Sequence, residues 1–509
     1  MTTTTLEVER KYDVDAGTPM PVLTGLPGVA AVDEPQVHEL VATYFDTADL
    51  RLRAAGVTLR HRAGGSDEGW HLKVPLGGDR EEVQAPGGDA AAPVPEALLA
   101  LVRAIVRTAT LGPVARLLTT RTVQALRDAG GQALVEVVDD QVEGRVEGQD
   151  VPPLRWREWE AELKQGARDV LDDVESRLLA AGAARSGSGS KVGRVLAGRP
   201  AGASEPAWWA STSNRRTTAG EVVQAHLRDQ VDELVARDPQ VRRDLPDAVH
   251  KMRVATRRLR SALHTFRPLL DRAETDPLRD ELRWLAGVLG AARDVEVMHA
   301  RLRGLVAAEP VELVLGPVLT RIDTVMGGRY RRAHDDVVRQ LDGPRYLALL
   351  DALAGLATSP PFRERADGSP AQVLTPMVRR TWTRLDRVMR AAERRPAGDE
   401  QDELLHEARK LAKAARYAAE AVAPAFGRRA TRFADAMADL QEVLGDFQDG
   451  VVTREALREF GAASSRSGEN GFTFGRLHGL EQARAEAAVA RWPAVRRNVS
   501  RPRLRRWLQ

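Results

Sequence analysis

Glu7-Val8-Glu9-Arg10-Lys11 decides how the first part of this chain is read. Side chains alternate between faces along a strand, so Glu7, Glu9 and Lys11 share one face. Carboxylate oxygens suit a hard divalent cation, and an ammonium suits a phosphate oxygen. The pattern fits a wall that holds a metal-bound polyphosphate; an exposed strand face with alternating charge is the other reading. Segments further along decide between the two. Thr58-Leu59-Arg60-His61-Arg62 sets two guanidinium groups on one strand face, Trp70-His71-Leu72-Lys73 adds an ammonium, and Arg121 lies in another strand-like stretch. Glu158-Trp159-Glu160-Ala161-Glu162 alternates three carboxylates. Closing a sheet made of these segments brings acid and base into one lumen. So many charges on a buried wall call for a ligand that compensates them. A two-sided sheet with cross-strand salt bridges fits less well, because no Lys interrupts the three alternating Glu residues.

At 509 residues the chain is too long for one ordinary core, so two or more domains are expected. It has no run of 18 apolar residues, which argues against a transmembrane helix. Met-Thr-Thr-Thr-Thr-Leu-Glu at the start lacks the basic and apolar regions of a secretory signal. The absence of cysteine excludes disulfides, thiolate metal sites and cysteine nucleophiles, and fits a reducing cytoplasm. The net charge of +3 conceals an asymmetry. Residues 1–198 carry about 30 acidic against 22 basic side chains, whereas the remainder carries about 53 basic against 42 acidic. A polyanion attracted by charge would bind the second part.

Alternation and β-rich composition predict strands over 6–14, 40–44, 57–62, 69–74, 116–126, 133–142 and 154–164, with short helices over 95–106 and 167–181. Ser186-Gly187-Ser188-Gly189-Ser190 reads as a loop and does not satisfy GxxxxGK[ST]. Domains are expected at 1–198 and 213–509, joined by a linker over 199–212. From about 215 the sequence turns helical, with helices expected over 219–237, 246–270, 276–289, 295–307, 315–341, 346–356, 370–394, 402–423, 430–444, 451–460 and 477–492. Arg501-Pro-Arg-Leu-Arg-Arg-Trp507 reads as a frayed basic tail.

The helical part repeats itself. His250, Arg253, Arg257 and Arg260 have the same spacing as His406, Arg409, Lys413 and Arg416. At 100° per residue each set falls within an arc of about 80°, a narrow cationic stripe headed by a His. Leu289-Gly290-Ala-Ala-Arg-Asp294 echoes Leu444-Gly445-Asp-Phe-Gln-Asp449 at nearly the same offset. A shared offset points to a duplicated helical unit, over about 220–345 and 370–495. A solvated surface has no reason to keep such register. Stripes facing across a groove would hold an extended polyanion through Arg forks and Lys point charges. The two His residues would act as proton-dependent donors or as local hydrogen-bonding residues.

With these motifs the chain resembles the CYTH–CHAD proteins, in which a triphosphate tunnel metalloenzyme domain precedes a helical CHAD domain. Glu7, Glu9 and Lys11 match the ExExK signature. Arg60, Arg62, Lys73 and Arg121 resemble the basic tunnel residues, and Glu160 and Glu162 the acidic late strand. Asp139, with Asp140 as the alternative, resembles a late tunnel Asp; Ser190-Lys191 resembles the closing Ser-Lys pair, and Tyr44-Phe45-Asp46-Thr47 a recurrent family segment. The resemblance implies a multidomain α+β fold: an N-terminal eight-stranded antiparallel β tunnel barrel with flanking helices and a C-terminal all-α duplicated helical bundle. It implies a tunnel open at both ends and a Mg2+- or Mn2+-dependent triphosphatase. Glu7, Glu9 and Lys11 would be catalytic, and Lys11, Arg60, Arg62, Lys73, Arg121 and Lys191 would bind substrate. Glu7, Glu9, Asp139, Glu160 and Glu162 would hold metal. It further implies that the helical stripes bind inorganic polyphosphate, and that the location is cytoplasmic, with polyphosphate granules as a site of association. A non-enzymatic polyphosphate-binding protein is the alternative. Nucleic-acid binding ranks lower, because no recognition helix or aromatic stacking signature accompanies the basic residues.

Overall fold

The computed structural model of the chain describes residues 2–65, 67–76, 79–88, 91–197, 218–396 and 398–509. The linker expected over 199–212 lies outside them. The chain divides into two compact units, Met1–Ala210 and Ser211–Gln509.

The first unit contains strands β1 (Thr3–Val14), β2 (Ala31–Val32), β3 (Gln36–Asp46), β4 (Thr58–Ala63), β5 (Gly69–Leu76), β6 (Asp79–Pro86), β7 (Gly112–Arg127), β8 (Ala133–Val146), β9 (Leu154–Leu163) and β10 (Ala184–Arg185). Its helices are α1 (Arg51–Ala54), α2 (Glu96–Val106), α3 (Asp169–Ala180) and α4 (Lys191–Val195). Eight antiparallel strands run in the order β1-β6-β5-β4-β3-β7-β8-β9, and β9 pairs back onto β1. The sheet is therefore a closed barrel, which leaves no exposed edge. The short β2 and β10 pair on the outside with β7 and β1. Tyr12 and Trp159 are fully buried in the core between the sheet and α3, and Trp70 and Leu72 in the core beneath α2.

All seven strands expected from alternation are present, most of them longer than expected. Besides the two-residue β2 and β10, the strand not expected is β6, Asp-Arg-Glu-Glu-Val-Gln-Ala-Pro. Four of its residues are ionic and its apolar side holds only Val83 and Ala85, so its hydrophobic alternation is faint. The expectation of a tunnel open at both ends is corrected. Val192 and Leu196, with Val195, pack among Ala42, Leu117 and Val142, so α4 fills one end of the barrel with apolar side chains. Ser190 caps this helix by accepting from Gly193 N at 3.1 Å.

The second unit is helical: α5 (Ala219–Arg242), α6 (Ala248–Thr265), α7 (Arg272–Ala307), α8 (Val318–Asp342), α9 (Pro344–Thr358), α10 (Pro370–Glu393), α11 (Asp399–Phe426), α12 (Arg428–Arg466) and α13 (Phe472–Val499). A Thr218–Glu221 capping box opens it. Two pairs of expected helices are each one continuous helix, α7 and α12. The apparent breaks fell at Gly290 and Gly445, where glycine only lowers helix propensity. The C-terminal residues are not frayed. Trp507 packs against Phe426 and Phe433, Arg505 lies over the Trp382 ring, and Leu508 is buried.

Gly144 on β8 leaves room for α4: a Cβ there would collide with Val195 and stand 3.3 Å from Trp156. Gly144→Ala is expected to destabilise the barrel unit by about 1–3 kcal/mol, the usual cost of overpacking, measured by urea unfolding followed through tryptophan fluorescence.

Candidate active site and cationic groove

Closure of the barrel sets the first site. The β1–β9 register places Glu9 opposite Glu162 and Lys11 opposite Glu160. Arg121, Asp140 and Glu158 form one row across β7, β8 and β9. Tyr44, Arg60 and His71 form another across β3, β4 and β5. Thr58, Lys73 and Glu82 form a third across β4, β5 and β6. The period of two points all of these into one lumen.

At its centre Glu160 meets Lys11, Lys191 at 2.7 Å and Arg121 at 3.0 Å. Burial opposes its charge, but Lys11, Lys191 and Arg121 outweigh burial and hold its carboxyl well below the usual range. Asp140 is fully buried and receives Arg121 at 2.8 and 2.6 Å and Lys191 at 2.9 Å. Lys191 also reaches Glu158 at 2.7 Å. Burial would lower the pKa of Lys11 and of Lys191, yet the surrounding carboxylates raise both, so both are ammonium ions at neutral pH. On the other side Lys73 pairs with Glu7 and lies 3.8 Å from Glu82, while Arg60 lies 3.9 Å from Glu82 and donates to the Tyr44 hydroxyl at 3.3 Å. Arg62 pairs with Asp67 at the rim. Burial, then the charges of Arg60 and Arg121, push Arg62 down to about 9.

The structure thus brings together Glu7, Glu9, Lys11, Arg60, Arg62, Lys73, Arg121, Glu160, Glu162 and Lys191 around one cavity of about 70 Å³. Asp139 is the exception and is corrected here. It lies on the outer face, where Arg157 grips it at 2.8 Å through both oxygens. Asp140, one residue along, faces inward. Glu82 was absent from the expected site, and Glu158, expected on the acidic strand, had been assigned no role. Arg80, Glu82 and Gln84 share one face of β6 and would have revealed Glu82 had that strand been recognised.

The donors fit a hard divalent cation. Asp140, Glu158 and Glu160 bring oxygens within 4.8 Å of one another, a cluster already filled by the Lys191 ammonium, and Glu7 Oε2 is buried without a hydrogen-bond partner. Oxygen-only ligation is the chemistry of Mg2+ and Mn2+ rather than of thiophilic metals.

A second concentration of charge lies in the helical unit. Arg253, Arg257 and Arg260 of α6 and Arg409, Lys413 and Arg416 of α11 line a groove of about 930 Å³ with α7 and α12. His250, near the start of α6, lines this groove; His406, near the start of α11, lines an adjoining pocket with His264 and Arg267 from the end of α6, and Arg258 donates to Glu420 toward the end of α11 at 2.9 Å. The C-terminal end of α6 therefore meets the N-terminal end of α11, and the two stripes run antiparallel. Burial, then Arg257, Arg409 and Arg253, push Lys413 down to about 7. Burial, reinforced most by Arg293 at His250 and by Lys410 at His406, lowers both imidazoles and favours their neutral forms.

The family comparison agrees with this division. The CYTH domain matches residues 5–196 and the CHAD domain residues 225–458. The chain is a CYTH–CHAD protein. Two uncharacterized proteins of Mycobacterium tuberculosis, MT2285 of strain CDC 1551 and Rv2226 of strain H37Rv, are each 38% identical to it over 516 residues, covering 97% of this chain and 96% of the relative. Among solved structures, PptA from Streptomyces chartreusis is 22% identical, with a TM-score of 0.46, covering 55% of this chain and 99% of its own. The CHAD domain from the plant Ricinus communis is 24% identical, with a TM-score of 0.42, covering 56% of this chain and 92% of its own. Among the described residues of this CYTH–CHAD protein no helix is long and apolar enough to cross a membrane.

Removing Asp140 leaves Arg121 and Lys191 short of a buried counter-charge. Asp140→Asn is expected to cost about 3–5 kcal/mol in urea unfolding, and Asp139→Asn, which loses only a partly exposed pair, clearly less.

Proposed function

We propose that the barrel unit hydrolyses inorganic triphosphate or a related triphosphate in a metal-dependent reaction, and that the helical groove binds inorganic polyphosphate. The observation that carries the first reading is the convergence of Lys11, Arg60, Arg62, Lys73, Arg121 and Lys191 with a set of carboxylates inside one closed barrel. Cations buried at this density gain most from a ligand with several anionic oxygens. Arg60, Arg62 and Arg121 bind its phosphoryl oxygens through planar forks, and Lys11, Lys73 and Lys191 act as point charges. Their charges stabilise the negative charge that develops on the transferred group. Glu7, Glu9, Glu160 and Glu162, with Asp140 in place of Asp139, would hold Mg2+ or Mn2+, which would polarise those oxygens and activate water. Tyr44 supports Arg60. The reaction needs no covalent nucleophile, and positioning supplies much of the rate.

The mutual pairing of these charges in a cavity of only about 70 Å³ favours the second reading, a polyphosphate-binding protein whose barrel turns nothing over. Phosphate release from triphosphate with Mg2+ or Mn2+ separates the two. Under the enzymatic reading Glu7→Gln and Lys11→Ala each lose at least about 100-fold in kcat/KM while far-UV circular dichroism is unchanged. Retained turnover in both variants would remove the lumen from the reaction.

For the groove, the antiparallel arrangement supports polyphosphate over nucleic acid. Two stripes of equal spacing running in opposite directions present nearly the same cations to a chain entering from either end. Polyphosphate has no direction, whereas a nucleic-acid strand does. The groove should also respond to pH. A bound polyanion raises the pKa of Lys413, so binding is strongest below about pH 7 and weakens as pH rises through and above that value. Calorimetric titration with polyphosphate between about pH 6 and 8 should show this slope, and Lys413→Arg should flatten it.

A further inference from the structure

Two carboxylates with exposed side chains line a groove otherwise rich in cations, and they occupy matching places. Asp294 on α7 lies 3.4 Å from Arg253, and Asp449 on α12 lies 3.3 Å from Arg409. Below each guanidinium is a buried helical glycine. A Cβ on Gly290 would stand 3.4 Å from Arg253 Nη2, and one on Gly445 3.1 Å from Arg409 Nη2. In both copies the Arg Nε is buried without a hydrogen-bond partner. The stripe, the glycine and the aspartate recur together, 155 or 156 residues apart. Chance ion pairs on a helix surface would not reproduce an arginine laid flat on helical backbone and held at one end by a carboxylate.

A polyanion site has an evident reason to avoid carboxylates, since each one repels the ligand. We propose that Asp294 and Asp449 are positioning residues: each holds its arginine fork against the glycine shelf, so that the groove presents two pre-oriented guanidinium groups to the phosphate chain. Pre-orientation lowers the side-chain entropy lost on binding, which for a free arginine is substantial. Gly445 is space its fork needs, since a Cβ there would crowd Arg409, whereas a Cβ on Gly290 would just touch Arg253; both are residues unfavourable to helix. This inference rests on the polyphosphate reading of the groove.

The two effects of the aspartates have opposite signs. A purely electrostatic groove binds polyphosphate more tightly once Asp294 and Asp449 are removed, because two negative charges disappear. A positioned groove binds it more weakly. Titration of the full-length protein with long-chain sodium polyphosphate should show that Asp294→Ala with Asp449→Ala weakens binding roughly tenfold, and that the dependence of log K on log salt becomes shallower by about one to two ions. Gly290→Ala with Gly445→Ala changes no charge and favours the helix, yet should weaken binding in the same direction by displacing chiefly the Arg409 fork. Circular dichroism melting confirms that each variant is folded. If the wild-type protein binds and both pairs of variants bind as tightly or more tightly, the positioning role is overturned and the groove reading stands. If the wild-type protein fails to bind, the groove reading is overturned and the positioning role with it.

Discussion

Pairing of β1 with β9 is the constraint on which the barrel unit depends. It closes the sheet and in the same step sets Lys11 against Glu160. Without closure the charges of the eight strands would face water, where each ion pair contributes little. With closure they are dehydrated, and each charge has to be offset by a neighbour or by a ligand. The crossed pairing of Lys11, Lys191 and Arg121 with Glu160 and Asp140 is how the protein meets that requirement by itself. The orphaned Glu7 oxygen and the crowded guanidinium groups of Arg60 and Arg62 mark where it does not.

Much of this was legible in the chain because a strand obeys a period of two. Once Glu7, Glu9 and Lys11 share a face, the same rule orients Arg60, Arg62, Lys73, Arg121, Glu160 and Glu162. The rule fails where its phase is uncertain. Asp139 and Asp140 are adjacent acids in β8, and only the register against Arg121 shows which one points inward. It fails again in β6, whose lumen side is so ionic that little hydrophobic contrast remains. The filling of one barrel end by α4 was hidden for a different reason: five residues are too few for a helical pattern, and their role depends on where the chain returns.

In the helical unit the repeat was visible as spacing, and its geometry was not. Equal intervals placed each stripe on one helix face, but nothing in those intervals states that α6 and α11 oppose each other head to tail. The glycines misled for an instructive reason. Read alone, Gly290 and Gly445 look like helix ends; in the folded unit each lies within an unbroken helix beneath an arginine. The C-terminal arginines misled in the opposite way, since their charge masked the anchoring of Trp507 and Leu508.

The apolar plug formed by α4 has a kinetic consequence. A barrel stopped at one end has a single door. In the proposed reaction the phosphate fragments therefore retreat along the path by which the substrate came in, past Arg62. Fragment and fresh substrate compete for the same passage, so turnover is governed by how readily that arginine lets go of an anion as well as by how strongly it attracts one.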